Sequence, residues 1–148
     1  MNAFFDYPDG GGERDSFLAH ASDRDWALLR GYLHARRYPN GATVVSAGDT
    51  DRALLLLVEG TVRLGSGRRS ATLRPGAVIG ELAFLAGRPF AEEIRAVTGV
   101  EILRLGLADF EALAATDPAL GRYLLFDLAR LLAERTEALQ AMVGGRDR

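Results

Sequence analysis

The chain has no cysteine, and His20 and His34 are the only two histidines among its 148 residues. The lack of cysteine excludes disulfides and thiolate chemistry. Two imidazoles are too few ligands for a zinc site. No nucleophile stands in the sequence with a recognisable base, and no carboxylate pair has a tuning neighbour. We therefore expect no metal site and no catalysis.

Long apolar runs and a strong charge of one sign are also missing. The longest purely aliphatic run, residues 53–58, is too short to cross a bilayer, and the first residues lack the positive segment of a signal peptide. The net charge is −2, and its dispersed signs give no basic face for nucleic acid. We expect a cytoplasmic protein that neither inserts into a membrane nor binds DNA by itself.

The composition predicts one globular domain. Hydrophobic residues make up 48% of the chain and charged residues 26%, and the length suits one core rather than two. Residues 1–15 combine aromatic side chains with Pro8 and a run of glycines, so we interpret them as a flexible leader. The domain then occupies residues 16–148.

Short strands between helices predict a mainly β fold. Ser22 is a candidate N-cap for an amphipathic helix over residues 23–35, with His34 near its end. From residue 36 onward, short apolar segments alternate with glycine-containing turns, which is typical of a small barrel or jelly roll. Helices follow over residues 107–115 and about 118–143, the second beginning with Asp117 and Pro118 and ending at Gly144.

The last helix carries a second pattern. Apolar side chains recur along it at alternating spacings of three and four, interrupted once by Arg135: Leu125, Leu128, Leu132, Leu139 and Met142. This spacing predicts a two-stranded coiled-coil seam. The alternative is packing on the barrel, but a helix of some twenty-five residues is about 38 Å long and outruns a small barrel. We therefore favour a homodimer through this helix.

Residues 74–95 form the candidate site. A turn at Pro75 and Gly76 and a short strand lead to Gly80, where a tight bend opens one or two turns of helix. The unpaired N–H groups at such a helix start could bind an anion. The alternative is a connector that turns a corner of the barrel.

Over residues 17–139 the order of elements and the motifs together resemble the cyclic nucleotide-binding domain family, the sensor of catabolite activator proteins, kinase regulatory subunits and gated channels. The matching residues are Gly41, Gly48, Asp49, Glu59, Gly60, Thr61, Val62, Pro75, Gly76, Gly80, Glu81 and Leu82. The resemblance implies an eight-stranded jelly-roll barrel with N-terminal helices and a long C-terminal helix. The sequences of residues 17–22 and of the alanine-rich C-terminal helix are most similar to bacterial members of this family that are appended to transporters or enzymes.

The resemblance also implies site residues. It assigns Glu81 to the ribose 2′-hydroxyl and the N–H groups after Gly80, including that of Leu82, to the cyclic phosphate. Members that bind nucleotide place an arginine after the proline that follows the short helix, but here that residue is Phe90, followed by Ala91. A neutral ring cannot supply the charge-assisted hydrogen bonds of a guanidinium, each of which contributes about 1.5–3 kcal/mol.

Arg88 is the alternative phosphate ligand, since residues two apart on an extended chain point the same way. The plausible base pocket is apolar and comprises Val62, Leu73, Val78, Leu132 and Thr136.

The favoured function is a non-catalytic regulatory domain with weak or lost affinity for cyclic AMP (cAMP) or cyclic GMP (cGMP). It would signal through the C-terminal helix to a dimer partner or to an attached or separate effector. The alternatives are a ligand-free dimerisation module and a genuine cAMP or cGMP binder that uses Arg88. The chain leaves no room for a helix-turn-helix after its last helix, so we expect no direct DNA contact.

Overall fold

The computed structural model describes residues 17–67 and 70–146. The predicted leader, residues 1–15, lies outside this range. The described chain forms two antiparallel sheets of four strands each, together with four helices.

The two sheets interleave along the chain. The first has the order β1, β8, β3, β6, formed by His34–Tyr38, Val100–Gly106, Ala53–Glu59 and Val78–Ile79. The second has the order β2, β7, β4, β5, formed by Thr43–Val45, Ile94–Ala96, Val62–Leu64 and Ala71–Leu73. The prediction of a mainly β, eight-stranded jelly roll with flanking helices is confirmed, as two packed sheets rather than one closed sheet.

Strand β3 explains the layering. Leu54 and Leu56 pack into a cluster with the helices, whereas Leu55 and Leu57 pack into a cluster between the two sheets. Alternate residues of a strand point to opposite faces, so a strand covered on both sides is apolar throughout. The continuous aliphatic run of the sequence is therefore the central strand of a three-layer arrangement of helices, first sheet and second sheet.

The helices are α1 (Asp23–Arg30), α2 (Glu81–Ala86), α3 (Leu107–Thr116) and α4 (Pro118–Arg146). The predicted N-cap of α1 is confirmed, because Ser22 and Asp25 form a reciprocal capping box. The predicted extension to residue 35 is wrong. Pairing with β8 draws His34 into strand β1, where its Nε2 lies 3.3 Å from a carboxylate oxygen of Asp109.

Helix α4 begins as predicted, with the Asp117 side chain accepting from the Leu120 N–H at 3.0 Å. It continues through Gly144 to Arg146, so the predicted end at residue 143 is too early. Gly144 does not take the positive φ of a helix-ending glycine.

Candidate functional site

The candidate site lies where strand β6 passes into helix α2. Gly80 is the residue between them, with φ of 89°, and its carbonyl accepts from the Phe84 N–H at 2.9 Å. Only glycine adopts this left-handed conformation without strain, so the bend depends on it. The prediction of a tight bend that opens a short helix is confirmed.

The start of α2 retains hydrogen-bond donors. The N–H groups of Leu82 and Ala83 bond to no residue that the structure describes. Unpaired donors of this kind are what a helix start presents to an anion. The side chain of Leu82 points away from the core and is 58% exposed.

The aromatic ring of Phe90 is buried beside Gly80, the residue before this helix start. The residue is 9% exposed and belongs to the cluster between the sheets. A Cβ atom placed on Gly80 would lie 2.9 Å from Cζ of Phe90. The backbone fixes this position, because the Phe90 N–H donates to the Asp49 carbonyl and the Gly48 N–H donates to the Phe90 carbonyl. A buried ring therefore lies against the residue that precedes the candidate phosphate donors.

Arg88 does not share the environment of Phe90. It is exposed, as is Ala91 on the other side of the buried ring. Its side chain makes no hydrogen bond or ion pair with any part of the chain that the structure describes. Arg88 is thus exposed where Phe90 is buried, and its role as the alternative phosphate ligand stays a prediction.

Arg52 stabilises the other end of α2, a role that sequence reasoning missed. Its guanidinium donates to the Phe84 carbonyl at 2.9 Å and to the Leu85 carbonyl at 3.2 Å. A cation there satisfies terminal carbonyls and complements the negative end of the helix. The interaction joins residues 32 positions apart, which no local pattern reveals.

Glu81 is already paired with a residue of α4. Its Oε1 lies 2.5 Å from Nη1 of Arg135, and Nη2 of the same arginine donates to the Val78 carbonyl at 3.1 Å. The Glu81 side chain is 17% exposed and that of Arg135 41%. Arg135, which interrupts the apolar pattern of the predicted dimer seam, thus binds the candidate site of its own chain.

Only some residues of the predicted base pocket lie close together in the structure. Val62 and Leu73 are cross-strand neighbours of β4 and β5 and pack in the cluster between the sheets. Val78 packs instead in the cluster with the helices, so the base pocket stays a prediction. Leu132 is half-buried, and Thr136 is exposed with its hydroxyl donating to the Leu132 carbonyl at 2.9 Å.

The described residues of the predicted dimer seam differ in burial. Leu128 is fully buried in the chain's own core, because α4 lies with Leu124, Leu128 and Leu131 against the first sheet. It cannot be part of an interface, and that prediction is corrected. Leu125 is 39% exposed and available for contact. The side chains of Leu139 and Met142 lie outside those that the structure describes.

A buried carboxylate ties α4 to the N-terminal segment. Asp127 accepts from the Leu18 N–H at 2.6 Å and from Nε of Arg130 at 2.8 Å. The hydrogen bond to Asp127 raises the pKa of the Arg130 guanidinium above its ordinary value. The first half of α4 is thus held by both apolar and polar contacts.

Membrane spans and metal clusters are absent from residues 17–67 and 70–146. No helix in these ranges is long and apolar enough to cross a membrane. No group of three or more histidine, aspartate or glutamate side chains in the same residues could hold a metal ion.

The chain is similar to known proteins in sequence. The family model described as "cyclic nucleotide-binding domain" matches residues 35–117. The cyclic AMP receptor protein of Thermus thermophilus is 34% identical over 113 residues, covering 72% of this chain and 52% of its own length. Glutaminase 2 of Bradyrhizobium diazoefficiens is 36% identical over 130 residues, which are 86% of this chain and 21% of that protein.

A solved structure agrees with these sequence relatives. The N-terminal domain of a transcriptional regulator from Streptomyces coelicolor A3(2) superposes with a TM-score of 0.71 at 29% identity, covering 83% of this chain and 90% of that one. The chain spans only about a fifth to a half of the curated relatives named above.

Proposed function

Because the chain belongs to the cyclic nucleotide-binding domain family, we propose that it is a non-catalytic regulatory domain whose own side chains close the nucleotide site. The observation that carries this proposal is the buried Phe90 ring against Gly80. The expected consequence is weak or absent binding of cAMP and cGMP.

The phosphate side of the site lacks its charge partner. A cyclic phosphate would meet the free N–H groups of Leu82 and Ala83. Position 90, however, supplies a neutral ring instead of a guanidinium, and the Arg135 guanidinium beside the site is already paired with Glu81. Each charge-assisted hydrogen bond contributes about 1.5–3 kcal/mol, so the loss of a bidentate pair weakens binding by about 100-fold or more. Arg88, the alternative that the sequence offers, is exposed to solvent.

The ribose side is occupied by an ion pair. A ribose hydroxyl would compete with Arg135 for the Glu81 carboxylate, whose Oε1 the guanidinium already holds. A hydrogen bond between a neutral hydroxyl and a carboxylate is weaker than a contact between two charged groups at the same distance. Competition with Arg135 therefore lowers nucleotide affinity further.

The same ion pair links the candidate site to helix α4, because Arg135 belongs to that helix. Beyond Leu131, the described contacts between α4 and the site are those of Arg135 with Glu81 and the Val78 carbonyl. Any ligand that took Glu81 would release Arg135 and loosen the distal half of the helix. We propose that this release is the signal, delivered to a second copy of the chain or to an attached or separate effector.

An experiment on Phe90 tests the closed site. The Phe90→Arg and Phe90→Ala variants both lose the ring, but only the first gains a guanidinium. By isothermal titration calorimetry, Phe90→Arg is expected to bind cAMP or cGMP about 100-fold more tightly than Phe90→Ala. Equal affinities in the two variants would contradict the assignment of position 90 to the phosphate.

A further inference from the structure

Helices α3 and α4 leave an apolar groove open between them. Gly121 packs so closely against Ala114 that a Cβ atom placed on it would lie 2.7 Å from the Ala114 Cβ atom. Small residues at this contact leave room between the larger side chains around it. The groove has a volume of about 500 Å³ and is lined by Phe110, Ala114, Pro118, Gly121, Arg122, Leu125, Phe126 and Ala129. We call these residues the α3–α4 groove.

The groove presents large apolar side chains and one cation. Phe126 is 76% exposed and Leu125 39%. A contiguous exposed apolar surface marks a binding site. Among the described residues that line the groove, Arg122 alone is charged, and its side chain makes no hydrogen bond or ion pair within the described ranges. The occupant should therefore combine apolar side chains with a carboxylate.

The size of the groove favours a tethered occupant. Its α4 residues extend from Pro118 to Ala129, which is about 17 Å along the helix axis. A patch of this length and about 10 Å wide is far smaller than the roughly 800 Å² per partner that a stable interface between separate proteins buries. A segment of the same chain needs less contact area, because its tether gives it an effective concentration of about 1 mM.

The residues that precede the described range have the composition that the groove requires. Phe4, Phe5 and Tyr7 place three aromatic rings within four positions, and Asp6 lies among them. An aromatic side chain buries about 150–250 Å² and pairs favourably with another ring, such as that of Phe126. The segment therefore offers both the rings and the carboxylate.

The chain enters the described range beside α4. Phe17 is buried in the cluster that holds this helix. The Leu18 N–H donates to the side chain of Asp127 at 2.6 Å, and Asp127 directly follows Phe126 in the sequence. The residues before Phe17 therefore start within one helical turn of the groove.

The connecting residues are long enough to reach the groove. A rotation of 100° per residue puts Asp127 and Leu125 on opposite sides of α4, with Phe126 between them, and half the circumference of a helix is about 17 Å. Residues 6–16 can span up to about 35 Å. They include glycine at positions 10–12, the residue type that restricts the path of a chain least. The segment can therefore cross α4 past Phe126.

We propose that residues 5–7 bind the α3–α4 groove of their own chain. Pro8 favours an extended backbone at the residue before it, and residues two apart on an extended chain point the same way. Phe5 and Tyr7 thus enter the groove, and Asp6 faces Arg122 at its edge. The predicted leader is then anchored at its aromatic residues.

The contact makes the segment a cover for the apolar face of α3 and α4. An effector that uses this face has to displace the segment first. The inference does not depend on whether a nucleotide binds. With a dissociation constant for the untethered segment on the order of 100 µM and an effective concentration of about 1 mM, about ten molecules are closed for each open one.

Thiol labelling measures how often the groove is open, because the chain has no cysteine of its own. In the full chain with Ala129→Cys, the new thiol lies in the groove and should react slowly with a thiol reagent such as DTNB. Adding Phe5→Ser/Tyr7→Ser should raise the labelling rate about tenfold. The matched control Phe4→Ser, which removes a ring that points away, should change the rate less than about twofold.

The labelling rates also test the charge pair. With Ala129→Cys, adding Arg122→Glu should raise the labelling rate about threefold, and Asp6→Arg in the same chain should restore it. An unchanged rate in Phe5→Ser/Tyr7→Ser would overturn the proposal. An equal rise in Phe4→Ser would overturn the assignment of the rings. Protection that appears only as the protein concentration rises would indicate a second copy in the groove and would also overturn it.

Cross-linking locates the segment directly. At about 5 µM protein, Asp6→Cys/Arg122→Cys should form an internal disulfide at least about ten times faster than Asp6→Cys/Arg63→Cys, whose second thiol is on exposed strand β4 in the other sheet. Equal rates would contradict docking in the groove. A mixture of the two single variants, Asp6→Cys and Arg122→Cys, should give little mixed dimer, and mixed dimers that form as fast as the internal disulfide would show that the segment binds another copy.

Discussion

Replacement of Arg135 by glutamine is expected to free the distal half of α4 while leaving the rest of the domain folded. Glutamine keeps most of the length of the side chain but removes the charge that faces Glu81. The substitution therefore removes both the ion pair and the hydrogen bond to the Val78 carbonyl. The first half of α4 keeps its buried Leu124 and Leu128.

The expected loss of free energy follows from the solvent exposure of Arg135 and Glu81. Arg135 is 41% exposed, whereas Glu81 is 17% exposed, so solvent screens the interaction only in part. An exposed ion pair contributes about 0.2–1 kcal/mol, and a partly buried charged hydrogen bond contributes more, which gives about 1–1.5 kcal/mol for both interactions together. Opening of the distal helix should therefore become about five to ten times more frequent.

Amide hydrogen exchange read by mass spectrometry measures this directly. Peptides from residues 136–146 should exchange about five to ten times faster in Arg135→Gln, with little change in peptides from β3. The control is Arg36→Gln, which removes an exposed arginine of β1 whose side chain makes no hydrogen bond or ion pair with a described residue. Added salt should move the unmodified chain toward the variant, because it screens the ion pair.

Unchanged exchange over residues 136–146 in Arg135→Gln would refute the anchoring role of the arginine. It would also remove the proposed route from Glu81 to α4. Faster exchange throughout the domain would contradict the reasoning in a different way, by showing that the pair supports the whole fold.

Three other substitutions test the fold around the site, each by urea denaturation. Gly80→Ala should destabilise by about 2–4 kcal/mol, because its φ is positive and the new Cβ would lie 2.7 Å from the Ala53 carbonyl oxygen; a neutral effect would contradict the bend. Leu128→Ala should lose about 3 kcal/mol through the cavity it leaves in the core, and a loss below about 1 kcal/mol would mean that this side chain is not buried. Ser22→Ala should lose about 1 kcal/mol with its capping box, and no loss would mean that α1 does not need this cap.

The sequence predicted the strands better than it predicted the use of α4. Strand β3 was evident because a short aliphatic run between turns is what a strand buried on both faces requires. Helix α4 is different, since leucines at positions 124, 125, 128, 131 and 132 allow two stripes that differ by one residue. Only docking on the first sheet, which buries Leu124 and Leu131 and leaves Leu125 exposed, decides between them.

Only part of the candidate site could be predicted from the sequence. Gly80 and Glu81 could be placed from the motif, and the occupant of position 90 could be seen to be an aromatic ring. The ion pair of Glu81 with Arg135 joins residues 54 positions apart, and no periodicity connects them. The exposure of Arg88 likewise depends on the path of the chain after α2, where Pro89 and the turn around Gly48 direct Phe90 inward.

The central claim is that Phe90 and Arg135 close the nucleotide site, and titration of the unmodified chain tests it most directly. Calorimetry with cAMP and with cGMP should give weak or no binding, with a dissociation constant no tighter than about 100 µM. A submicromolar dissociation constant for either nucleotide would contradict this claim.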